Sequence, residues 1–187
     1  MMTFDPPAES ATGGSSHEAA AAGNAAVADQ AAEQLHAALD GSSGIDKILL
    51  KAAAGAGKSY VLKRLVAEAL QHERCLRVAV MAAQNRQLWP LAAGLGKALG
   101  HDRVCLFTAE RWLGELPDDL VAHASVATRT ADIPVSAQVV LATSHKFDAF
   151  GERGRLKDHL GEGANGESTF DVLFIDEAWQ LPHHRFD

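Results

Sequence analysis

The chain has 187 residues, 47% of them hydrophobic and 22% charged, an ordinary composition for a soluble protein of one modest domain. Its formal net charge of −7 excludes nucleic-acid binding through overall basicity, so any such binding must come from a local stripe. No apolar run reaches bilayer-spanning length, and Met1-Met2-Thr3-Phe4-Asp5 lacks the basic-then-apolar order of an export signal.

The charge is unevenly placed. Residues 1–46 carry seven acids and no Lys or Arg, so the whole excess of negative charge lies there. Residues 1–26, with Gly13-Gly14-Ser15-Ser16 and an Ala run, read as a disordered acidic arm that buries too little apolar surface to order itself. From Val27 to Leu39 the Ala, Leu and Gln spacing predicts a helix, which Gly41-Ser42-Ser43-Gly44 ends. Residues 27–187 read as one folded lobe.

Ile48-Leu49-Leu50 is a short apolar run that predicts a strand, and Tyr60 to Leu70 has helical periodicity. Between them lies Ala52-Ala53-Ala54-Gly55-Ala56-Gly57-Lys58-Ser59, which fits a phosphate-binding loop at all but its first position, where Ala52 replaces Gly. Glycines let backbone N–H groups close around a phosphate chain, and the helix behind adds unpaired donors and a positive dipole end. Candidate nucleotide contacts are therefore Ala53, Ala54, Gly55, Ala56, Gly57, Lys58, Ser59 and Tyr60. Lys58 is placed to meet the β- and γ-phosphates, and Ser59 to hold Mg²⁺.

Strands are predicted at Arg77–Ala82, Val104–Phe107 and Gln138–Ala142. A helix is predicted over Leu88–Leu99, with Pro90 in its first turn, and Thr108-Ala109-Glu110 reads as the capped start of another. Arg153, Arg155 and Lys157 read as a solvated helix face, and Gly161 to Ser168 as a polar loop. Phe170–Ile175 has the pattern of a buried strand and ends in Asp176-Glu177-Ala178-Trp179-Gln180. An acid at the carboxyl end of such a strand is suited to Mg²⁺, and an adjacent Glu to deprotonating a water. Cys75 and Cys105 follow no metal spacing and read as buried thiols of a reducing, cytoplasmic compartment. The alternation of strands and helices predicts an α/β fold with a parallel sheet covered by helices on both faces, ligands lying at the carboxyl ends of strands.

Gly55-Ala56-Gly57-Lys58-Ser59 followed by Ile175-Asp176-Glu177-Ala178-Trp179-Gln180 resembles the superfamily 1 helicases among RecA-like P-loop ATPases. The Asp-Glu-Ala-x-Gln form looks most like their up-frameshift-type branch. The resemblance implies ATP and Mg²⁺ as cofactors, Asp176 as magnesium ligand, Glu177 as catalytic base and Gln180 as a coupling residue near the γ-phosphate. Trp179 stands where that family usually has a smaller residue. The resemblance also implies contacts to single-stranded DNA or RNA at Gln84-Asn85 and at Thr143 to Lys146, although polar residues at such junctions serve equally as helix caps. It further implies a later sheet strand and a second lobe carrying an arginine finger, so the sheet is expected to be incomplete at the C-terminus. This chain alone is then expected to bind Mg-ATP with little turnover. The alternative is an acid strand that pairs directly with the phosphate-loop strand.

Two other functions stay open. One is a P-loop ATPase acting as a regulatory or defence switch on protein partners. The other is a small kinase, disfavoured because Glu177 suits water activation and Arg153-Gly154-Arg155 is the only lid candidate. The absence of an Asn/Thr-Lys-x-Asp segment tilts the nucleotide towards ATP over GTP.

Overall fold

Two strands of the second half, Val-Ala-Val-Met-Ala and Val-Val-Leu-Ala-Thr, are apolar but for the final Thr, the composition of parallel strands covered on both faces. The computed structural model describes residues 16–50, 57–149 and 151–177, which belong to two compact units meeting in sequence at Arg74 and Cys75.

In the first unit, helix α1 (Ser16–Leu39) and helix α2 (Lys58–Gln71) pack together. Ala28, Ala31, Ala32 and Leu35 form a buried stripe at helical spacing on α1, and Leu65, Val66 and Ala69 are buried on α2. Arg64 bridges the pair, with Asp29 at 2.6 Å and Glu68 at 3.8 Å. Gly41 leaves α1 at φ 72, and the Arg74 guanidinium donates to the Leu39 and Asp40 carbonyls, a cation where the helix dipole is negative. Helix α1 starts at Ser16, well before the expected Val27. The Ala-rich run has the highest intrinsic helix propensity, which an argument from burial alone undervalues. The expected strand at Ile48–Leu50 is not formed, and all three side chains are at least 40% exposed.

In the second unit, five parallel strands are ordered β3-β2-β4-β1-β5. They are β1 (Val78–Ala82), β2 (Val104–Phe107), β3 (Ser125–Ala127), β4 (Val139–Thr143) and β5 (Val172–Ile175). Residues Ala79, Met81, Cys105, Phe107, Val140 and Ala142 share one face, against Phe147 of helix α5 (Ser144–Phe147) and Leu156 and Leu160 of helix α6 (Glu152–Leu160). The alternate set, including Val80, Leu106 and Leu141, is as deeply buried, and helix α3 (Asn85–Leu99) packs on β1, β2 and β4. Leu88, Leu91, Leu95 and Leu99 line its buried stripe, each contributing roughly 1.5–3 kcal/mol. Helix α4 (Asp118–His123) lies so close to α3 at Gly96 that a Cβ there would be 2.6 Å from the His123 carbonyl carbon.

Helix α3 begins three residues earlier than its apolar stripe, so Pro90 sits in the second turn and not the first. Thr108 caps no helix: it is buried, its hydroxyl donates to Asn85 Oδ1 at 2.9 Å, and a 3-10 segment follows at Glu110–Glu115. Strand β5 pairs with β1 in the register Val172↔Val78 to Ile175↔Met81, and its other edge has no partner among the described residues. Leu173 is accordingly 52% exposed. Among the described residues no helix is long and apolar enough to cross a membrane.

Candidate functional site

Of the phosphate-loop candidates, Ala53, Ala54, Gly55 and Ala56 lie outside the described residues, as does Gln180. Gly57 is described. It caps α2 at φ 76, ψ 23, a left-handed conformation that glycine adopts without steric cost. Lys58, Ser59 and Tyr60 form the first turn of α2, the Tyr60 N–H donating to the Gly57 carbonyl at 2.9 Å, and Ser59 is exposed. No acid lies in that turn to compete with an anion.

The acid pair lies at the carboxyl end of β5. The Asp176 N–H donates to the Met81 carbonyl at 2.8 Å, which carries the β1–β5 ladder one residue past the strand. Glu177 then leaves the ladder at φ 51, the sole non-glycine among the described residues with positive φ. Such a conformation is sparsely populated by residues with a Cβ and is held only where surroundings fix it. One fixing contact is Gln87 in the first turn of α3, whose Nε2 donates to Glu177 Oε2 at 2.7 Å. Gln87 Oε1 in turn accepts the Gln84 N–H at 3.0 Å. Sequence reasoning singled out Gln84-Asn85 in this loop and passed over Gln87 as a site residue; its signal was the three-residue spacing from Gln84, that of a capping box.

At the other end, Asp171 prepares β5 for this geometry. Its carboxylate accepts the Leu76 N–H at 2.8 Å and the Arg77 N–H at 3.1 Å, while its own N–H donates to the Arg77 carbonyl. These bonds fix the entry of β5 beside β1, and hence the height at which Asp176 and Glu177 emerge. The Asp171 charge also helps hold the Cys75 thiol up at about 12, although burial is the larger cause. Cys105 on β2 is raised to about 12 by burial, partly offset by a backbone hydrogen bond from Ala127. Neither thiol has the lowered value of a nucleophile.

The two segments expected to touch nucleic acid are drawn into internal bonds. Asn85 accepts from Thr108. Thr143 and Ser144 are buried, and Lys146 donates to the Thr128 carbonyl at 2.8 Å and lies 4.1 Å from the centre of the Phe107 ring. Burial lowers the Lys146 pKa, against an opposing contribution from Glu152. Lys146 lines a cavity of about 340 Å³ with Arg129, Arg155, Thr128, Thr130, Ala131 and Glu152. Glu152 is its buried counter-charge, bonded by the Thr130 hydroxyl and by Arg155. His145 is exposed.

No family model matches the chain, and no curated protein or solved structure is significantly similar to it. Among the described residues no three His, Cys, Asp or Glu side chains are grouped to hold a metal ion.

Proposed function

We propose that the chain binds Mg-ATP and hydrolyses it as a helicase-like P-loop ATPase lobe, with a RecA-like arrangement of its sheet. The observation that carries the reading is the acid pair at the carboxyl end of a parallel strand, Asp176 on the ladder and Glu177 turned out of it. Ligands of open parallel sheets bind at that end of the strands. The left-handed Gly57 opening a helix that begins Lys58-Ser59 supports it independently.

In this reading the N-terminal end of α2, positive by its dipole, and the Lys58 ammonium meet the phosphate oxygens. Ser59 and Asp176, the residues that the resemblance assigns to magnesium, each carry a hard oxygen of the kind that ion takes alongside nucleotide phosphates and water. Mg²⁺ would be held by these oxygens and would supply positive charge against that developing on the phosphates. Glu177 accepts the proton of the attacking water. Coupling of that hydrolysis to translocation along DNA or RNA, or to unwinding, follows from the family resemblance.

Glu177→Gln is the test. Its expected outcome is Mg-ATP affinity within about threefold of wild type and hydrolysis slowed by about 10²-fold or more, the scale of general-base removal. Equal hydrolysis by both proteins contradicts the assignment.

A second reading, an ATPase switch acting on protein partners, is favoured by one observation: Asn85 and Lys146 already serve internal bonds. Stimulation of hydrolysis by single-stranded oligonucleotides supports the first reading, and indifference to them supports the second.

A further inference from the structure

Glu177 is a flexible side chain with an assigned task, and its position depends on what holds it. From the Gln87 contact we infer that Gln87 is the positioning residue of the general base, an inference that rests on the ATPase reading above. The orientation of the Gln87 amide is fixed by chemistry. A backbone N–H can only donate and an ionised carboxylate can only accept, so the amide oxygen must face Gln84 and the nitrogen must face Glu177. Both ends of the amide are therefore committed, the oxygen at 3.0 Å and the nitrogen at 2.7 Å. The shorter bond has the length of a charge-assisted one.

Three elements meet at this amide. The loop after β1 supplies the Gln84 N–H, the first turn of α3 supplies Gln87, and the end of β5 supplies Glu177. A carboxylate offers about four acceptor sites, so the Gln87 donor on Oε2 orients the group without saturating it. Without that donor a glutamate at positive φ regains several rotamers, and the fraction poised for proton transfer falls. The same bond ties the base to the Gln84-Asn85 loop, so a ligand that shifts this loop shifts the base with it.

Gln87→Met keeps the length of the side chain and removes both the donor to Glu177 and the acceptor of the Gln84 N–H. Single-turnover hydrolysis, with the full chain in excess over radiolabelled Mg-ATP, gives the rate, and calorimetry gives the affinity. The expected result is a rate reduced about tenfold or more with Mg-ATP affinity changed less than twofold. Added to Glu177→Gln, Gln87→Met lowers the rate no further, because its effect on hydrolysis passes through that carboxylate. Two outcomes overturn the inference: a Gln87→Met rate within twofold of wild type, or equal further losses in both backgrounds, which mark a merely structural bond. Failure of the ATPase reading is separately visible, because then Glu177→Gln itself leaves hydrolysis unchanged, and the inference falls with it.

Discussion

Gly96 on α3 and Gly154 in the first turn of α6 are both helical glycines, and the structure sets the outcomes of their replacement by alanine apart. Glycine in a helix costs about 1 kcal/mol relative to alanine, so propensity alone stabilises both variants. At Gly154 on α6 nothing lies within 4 Å of a new Cβ, and the propensity gain of roughly 0.5–1 kcal/mol is expected in full. At Gly96 the new carbon overlaps the His123 carbonyl, 2.6 Å from its carbon and 3.3 Å from the Ala124 nitrogen. Carbon pairs settle at about 3.5 Å or more, so the end of α4 has to retreat by about 1 Å. That retreat disturbs Leu120, which is 1% exposed, and overpacking of this kind costs about 1–3 kcal/mol. With the propensity gain of about 1 kcal/mol subtracted, Gly96→Ala is expected to lose about 0–2 kcal/mol. Urea unfolding followed by far-ultraviolet circular dichroism gives both values. A Gly96→Ala protein as stable as Gly154→Ala refutes the α3–α4 packing described above.

Asp171→Ala removes the acceptor for the Leu76 and Arg77 N–H groups and is expected to cost about 2–4 kcal/mol, measured by the same unfolding experiment; a loss below about 0.5 kcal/mol contradicts the anchoring role. The buried thiols predict resistance of the native chain to a thiol reagent at pH 8, with both Cys75 and Cys105 reacting once urea unfolds it. They also predict a pH dependence. An unfolded thiol ionises near 9.0 and the folded ones near about 12, so between these values the unfolded state holds fewer protons and stability falls as pH rises. The slope is at most about 1.4 kcal/mol per pH unit for each thiol, and Cys105→Ala should flatten its share.

Much of the sheet was legible because its strands are unbroken apolar runs. Val104–Phe107 was read to the residue, and the strands at Val78, Val139 and Val172 to within one or two. Strand β3 escaped notice because Ser125-Val126-Ala127 is three residues long and owes its pairing to β2, a tertiary contact with no local signal. Ile48–Leu50 misled for the converse reason: a short apolar run has no preference that survives without a pairing partner. At the site, Asp176 and Glu177 were marked by the strand before them. Gln87 was not, since its role depends on a bond to a residue ninety positions away. Likewise nothing in Lys146 or Asn85 announced the internal acceptors that engage them.

In the proposed function Mg-ATP is taken through the Gly57-Lys58-Ser59 helix start. Calorimetric titration of Mg-ATP into wild type and into Lys58→Ala, with folding of both verified by circular dichroism, tests it most directly. Saturable one-site binding by the wild type, weaker Mg-GTP binding and loss of the heat signal in Lys58→Ala are expected. Equal binding by the two proteins, or none by a folded wild type, contradicts it.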